Sequence, residues 1–164
     1  MITYLQDSDV TLDVDEALRS LLALCFTNEP RFAAQRFCNE MPSHRWVIRS
    51  GDQLIAHVAT HDKSFQIGTA MSTFCGVAEV CVHPDHRGRG LAGRLLAAAE
   101  SHHAACDFSI LLGAPYVYTR YGYQTVKNVI FPLYSEEPFG HAMVKCLSAD
   151  AWPGPRVVLG GPHF

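Results

Sequence analysis

Val14, Ala17, Leu18, Leu21, Leu22 and Cys25 recur three and four residues apart. That spacing gathers apolar side chains on one helical face and predicts an amphipathic helix from Asp13 to Phe26. Ile2 to Leu5 reads as a short strand before it. Asn28-Glu29-Pro30 breaks the helix, and a second, shorter helix is expected from Arg31 to Met41, before Pro42. β-Branched and aromatic residues then dominate from Arg45 to Arg49 and from Gln53 to His61, with Ser50-Gly51-Asp52 between them as a hairpin turn. Phe65 to Ile67 extends this meander, and Phe74 to Val82 is the next strand.

The second half alternates differently. Leu91, Leu95, Leu96, Ala98 and Ala99 lie at helical spacing between Gly90 and His103, and Phe108 to Leu112 is a fully apolar strand. A strand, a crossover helix and a strand in that order make a parallel pair with a right-handed connection. Pro115 to Tyr121 predicts a short helix ended by Gly122, followed by a long strand from Tyr123 to Tyr134 and another from Gly140 to Cys146. The apolar stretch Val157 to Leu159 is a last edge strand, which offers pairing across a homodimer. The fold class is therefore mixed α/β, antiparallel first and with one parallel pair.

Composition narrows the setting. A chain of 164 residues suits one domain, 1–164. With 48% hydrophobic and 18% charged residues it is too apolar for disorder and too interrupted for a membrane span. Met1 to Asp7 contains no basic segment followed by an apolar run, so a cytoplasmic location is expected. The six cysteines have no close pairs and read as buried free thiols. A net charge of −3 without a basic run disfavours nucleic acid as a partner.

The chemistry concentrates at Arg87-Gly88-Arg89-Gly90-Leu91-Ala92-Gly93, which opens the helix after the Phe74 to Val82 strand. Unpaired N–H groups at a helix start carry roughly half a positive charge. Gly88 and Gly90 remove Cβ atoms that would hold a phosphate away, while Arg87 and Arg89 add positive charge. The same glycines satisfy G-x-G-x-x-G, yet in a dinucleotide fold those glycines follow the first strand directly. Here antiparallel strands precede them and His83-Pro84-Asp85-His86-Arg87 intervenes, so the nicotinamide reading is rejected.

The whole run from Glu79 to Ala92 resembles the acyl-CoA motif of the GNAT superfamily of N-acetyltransferases, whose [QR]-x-x-G-x-[GA] signature falls on Arg87, Gly90 and Ala92. Ala114-Pro115-Tyr116-Val117-Tyr118-Thr119-Arg120-Tyr121-Gly122-Tyr123 is similar to the second motif of that superfamily. The resemblance implies a GNAT acyl-CoA N-acyltransferase fold: a central, mostly antiparallel sheet with a splayed parallel pair, flanked by helices. It also implies acetyl-CoA as co-substrate. The pantetheine arm would lie along main-chain groups of Val80, Cys81 and Val82, and the pyrophosphate on Arg87, Gly88, Arg89, Gly90, Leu91, Ala92 and Gly93. A main-chain donor near Val82 would polarise the acetyl carbonyl. One departure stands out: many members carry asparagine seven residues before the tyrosine, where this chain has Leu111.

An acceptor amine with pKa ~10.4 is neutral in only about one molecule in a few thousand at pH 7, so transfer needs a base or a desolvating pocket. Glu79 is the candidate base, or else a carboxylate paired with a basic side chain. Tyr118 stands at the family position of the general acid, the alternative being aromatic packing. His57 either faces an acceptor pocket or is a satisfied core histidine. His83, His86 and Cys81 lack a second close ligand pair, so no metal is expected. Asn28, Glu29 and Arg31 either line an acceptor site or occupy a solvated turn. The implied activity is acetyl transfer to a primary amine of a small molecule or peptide, with no membrane partner. The alternative is a catalytically silent acyl-CoA-binding regulatory module.

Overall fold

The computed structural model describes residues 1–164. Its elements in chain order are β1 (Ile2–Gln6), α1 (Leu12–Cys25), β2 (His44–Ser50), β3 (Gln53–Ile67), β4 (Ala70–Val82), α2 (Leu91–His102), β5 (Phe108–Leu112), α3 (Pro115–Tyr118), β6 (Gln124–Thr125), β7 (Val129–Ile130), β8 (Ala142–Cys146) and β9 (Val157–Val158). Seven strands form one sheet in the order β1-β2-β3-β4-β5-β8-β6, and β7 and β9 form a second, two-stranded sheet. Within the large sheet only β4 and β5 run parallel.

The period of two along β2 distributes its side chains between layers. Val47 joins Leu18, Leu21, Leu22, Phe32, Leu54 and Cys81 under α1. Trp46 and Ile48 join Leu91, Leu95, Leu96 and Ala99 of α2 with Val58, Val77 and Leu111. A third cluster of Phe65, Phe74, Phe108, Phe131, Val157 and neighbours closes the far end of the β3–β4 hairpin. No helix is long and apolar enough to cross a membrane.

Three expectations need correction. The segment Arg31 to Met41 is not a helix: a 3-10 turn covers Pro30–Ala33 and irregular backbone follows. Side chains take the backbone groups that a helical ladder would use. Arg45 donates to the Arg36 carbonyl, Gln35 to those of Phe37 and Cys38, and the Cys38 amide donates to Glu79. The long strand from Tyr123 to Tyr134 is also absent. β6 pairs with β8, whereas β7 pairs with β9 in the other sheet. The switch is held by Asn128, whose amide donates to the carbonyls of Pro153 (2.8 Å) and Pro155 (2.7 Å) and accepts from Trp152 Nε1 (2.9 Å). The C-terminal strand is Val157–Val158, paired in parallel with this chain's own β7. All six cysteines are free, but only Cys75 and Cys81 are buried and Cys146 is exposed.

Candidate active site

β4 carries the site because it is irregular there. His57 pairs with Cys81 and Ala59 with Ala78, so Glu79 and Val80 together face Val58 alone. This is a β-bulge, which bends a strand and re-aims its side chains. Glu79 is the one non-glycine residue with positive φ, at 55°, a backbone state costing about 1–2 kcal/mol for a residue with a Cβ. The pairing of β4 with β5 ends at Val77 opposite Leu111. Ala78 to Val82 therefore run on without a β5 partner, and the parallel pair is splayed at this end.

A cleft of about 720 Å³ opens at the splay. Val80, Cys81 and Val82 line one wall, Val117, Tyr118, Arg120 and Tyr121 the other, and Arg87, Gly88, Gly90, Leu91 and Ala92 the mouth. Gly88 (φ 75°) and Gly90 (φ 71°) are left-handed, and a Cβ built on either would meet nothing within 4 Å, so the backbone is bare toward solvent. No amide from Gly88 to Gly93 donates to a backbone or side-chain group of the chain. Consecutive free donors at the start of a twelve-residue helix fit the pyrophosphate of an acyl-CoA.

Two positions of the loop differ from the rest in what surrounds them beyond the backbone. Arg89 folds back onto the Asp85 carbonyl at 3.3 Å and does not line the cleft. A Cβ on Gly93 would lie 2.7 Å from Tyr121 Cε1, so the missing side chain makes room for that ring. Gly93→Ala is expected to cost about 1–3 kcal/mol by overpacking, visible as a lowered Tm with a weaker effect on ligand affinity. Arg87 Nε donates to the Val82 carbonyl at 3.2 Å, spanning the mouth. Cys25 and Phe26 at the end of α1 and His86 also line the cleft, and sequence reading did not find them. The N-terminal helix carries no motif that would have signalled its role.

On the other side of β4, Phe26, Glu29, Phe32, Cys38, Asn39, Glu40, His61, Glu79 and Phe164 enclose a pocket of about 240 Å³. Phe26 borders both cavities. Glu79 is thus in the smaller pocket while the next three residues of β4 face the larger one. Glu29 does line it, gripped by the Arg31 guanidinium at 2.7 and 2.8 Å. Glu40 is paired with Lys63 at 2.6 Å. Arg31 itself and Asn28 are outside the lining.

Behind Glu79 stands Arg45, fully buried and absent from the sequence-level candidates. Its guanidinium binds Asp7, Glu79 Oε2 (3.0 Å), His57 Nε2 (3.0 Å) and the Arg36 carbonyl (2.9 Å). Since arginine only donates, His57 Nε2 must accept and the proton resides on Nδ1, which donates to the Glu79 carbonyl at 3.1 Å. His57 is therefore a satisfied core histidine that pins the strained bulge. Burial, reinforced by Arg45, holds its pKa well below 6.5 and keeps it neutral. Burial pushes Glu79 up to about 7, against the opposing pull of Arg45 and the Cys38 amide. Tyr118 is pushed by burial up to about 12, so its phenol keeps its proton at neutral pH. Its ring packs over Gly113, and Leu111 is buried in the core between Val77 and Met143.

A family model described as an acetyltransferase (GNAT) domain matches residues 9–126. No curated protein matches the sequence significantly. Among solved structures, the GNAT family N-acetyltransferase YhbS of Escherichia coli, crystallised with CoA, superposes with a TM-score of 0.71 at 18% identity, covering 99% of this chain and 89% of that one. A GNAT family acetyltransferase from Brucella melitensis in complex with acetyl-CoA gives 0.62 at 17% identity, covering 96% and 94%. Eis1 from Mycobacterium abscessus gives 0.63 at 16%, covering 77% of this chain but 32% of that one.

Proposed function

The chain belongs to the GNAT acetyltransferase family, and on that premise we propose that it moves the acetyl group from acetyl-CoA to a primary amine of a small molecule or peptide by direct attack in a ternary complex. The observation that carries this reading is the β4 bulge. It turns Glu79 into one pocket and leaves Val80 to Val82 lining the other, so a base and an acyl-donor cleft meet across a single strand.

Gly88, Gly90, Leu91 and Ala92 offer free amides to the pyrophosphate, with Arg87, Arg120 and His86 lining the same cleft. Val80, Cys81 and Val82 give a β5-free strand edge for the pantetheine arm. Glu79 takes the proton from the acceptor amine, and Tyr118 returns one to the departing sulfur. The thioester supplies the activated acyl group. Glu29, Glu40 and Glu79 are each countered by Arg31, Lys63 and Arg45. The acceptor pocket is thus near charge balance, which favours a single amine over a polycation.

Calorimetric titration with acetyl-CoA, CoA and NAD tests the donor. Wild type is expected to bind acetyl-CoA in the micromolar range, on the order of −8 kcal/mol, and not NAD. Gly90→Glu, which puts a side chain at a left-handed position and negative charge among the free amides, is expected to weaken binding at least tenfold. Absence of binding by the wild type overturns the reading. Binding without amine-dependent thiol release selects the silent acyl-CoA-binding module.

A further inference from the structure

At the end of α2 opposite the glycine loop, one ring nitrogen from each of His44, His102 and His103 falls within 4.8 Å of the others. Asp62 joins them: one carboxylate oxygen is 2.9 Å from His44 Nε2 and the other 3.5 Å from His103 Nδ1. We propose that these four side chains form a binding site for a first-row transition-metal dication, zinc foremost.

The donor set argues for that class. Imidazole suits Zn²⁺, Ni²⁺ and Cu²⁺, whereas Mg²⁺ and Ca²⁺ demand oxygen shells. Three imidazoles and a carboxylate complete a tetrahedral zinc shell.

The outer hydrogen bonds argue for it independently. Tyr4 Oη is 2.8 Å from His44 Nδ1, and Thr60 Oγ1 is 2.8 Å from His103 Nε2. Each hydroxyl engages the nitrogen turned away from Asp62, so the remaining nitrogens, His44 Nε2 and His103 Nδ1, both face the carboxylate. Orientation of this kind by a second group is what holds metal-binding histidines in place. Rigid elements supply the frame: Tyr4 pairs with Trp46 across β1 and β2, and His44 with Thr60 across β2 and β3. His103 is buried, whereas His102 is exposed and stacks on Tyr4 at 5.0 Å.

Nitrogens around a tetrahedral zinc at ~2.0 Å stand about 3.3 Å apart. The ligand atoms already lie within 4.8 Å of one another, so closing on an ion asks for a short side-chain shift, for which exposed His102 has the freedom. The C-terminal end of α2 further favours positive charge. Bound here, the ion ties that helix end to strands β2 and β3.

The test titrates the metal-free full chain with ZnCl₂ by calorimetry and with CoCl₂ by visible absorption. The expected result is one ion per chain at micromolar or tighter affinity, with d–d bands of tetrahedral cobalt. His102→Ala, an exposed position, and Asp62→Asn are each expected to weaken binding at least tenfold at unchanged Tm of the metal-free protein. Tyr4→Phe is expected to weaken it roughly tenfold through His44 alone. No saturable binding by the wild type, undiminished affinity in both His102→Ala and Asp62→Asn, or sulfur-to-cobalt charge transfer placing the ion on cysteines would overturn the proposal.

Discussion

Glu79→Gln is expected to lower kcat by about 10²–10⁴-fold, the range attributable to a positioned general base, while the affinity for acetyl-CoA stays within a factor of a few. The affinity is spared because Glu79 does not line the cofactor cleft. In the wild type kcat/KM should rise with pH through about 7, since the carboxyl must lose its proton to accept one and burial has raised it to that value. The glutamine variant should lose this limb. The same shift has a signed effect on stability. The folded chain holds the Glu79 proton up to about 7 and the unfolded chain only to the ordinary glutamate value of 4.5. Between those two pH values the folded state binds more protons, so this contribution is full below the lower one and is lost as pH rises through the upper one. A kcat unchanged in Glu79→Gln would reduce the residue to an ion-pair partner of Arg45.

Arg45→Met is expected to destabilise the fold by about 3–5 kcal/mol, as does removal of one partner from a buried ionic cluster. At roughly 2–4 °C per kcal/mol for a chain of this size, Tm should fall by about 6–20 °C. The side chain is fully buried, and so nearly are Asp7 and Glu79, at 3% and 6% exposed, so solvent does little to screen the loss. Asp7 retains Arg36 at 2.6 Å, but Glu79 keeps only the Cys38 amide. Burial by itself would raise the Asp7 carboxyl, and the hydrogen bonds from Arg36 and Arg45 outweigh it to hold it below 3.8. Its contribution is therefore present above that value and lost as pH falls through the depressed one. Glu79→Gln added to Arg45→Met should recover part of the loss, because the second change removes the carboxylate the first leaves unpaired. A double-mutant cycle measures that coupling. If Arg45→Met unfolds with the Tm of the wild type, the cluster is not what holds the bulge.

The elements whose side chains repeat at a helical or strand period were readable from the chain alone. α1, α2, the β2 to β5 core and the short helix before Gly122 all announce themselves in this way. The glycine loop was readable too, because a left-handed glycine and a bare helix start are local properties. The region from Pro30 to Met41 and the switch at Asn128 were not, since their backbone is satisfied by side chains distant in sequence: Arg45, Glu79, and the carbonyls of Pro153 and Pro155. Glu79 was nameable from its position in the motif. Its meeting with Arg45, Asp7 and His57 depended on the β2–β3–β4 register and on a bulge that no periodicity records. The histidine cluster follows the same logic. His44, Asp62 and His102 are scattered along the chain, and only sheet pairing and helix packing bring their polar atoms within reach of one another. Local patterns report what a residue does to its own backbone. Ion pairs, bulges and shared pockets depend on where the folded chain returns, and that is decided by burial of the three apolar clusters together.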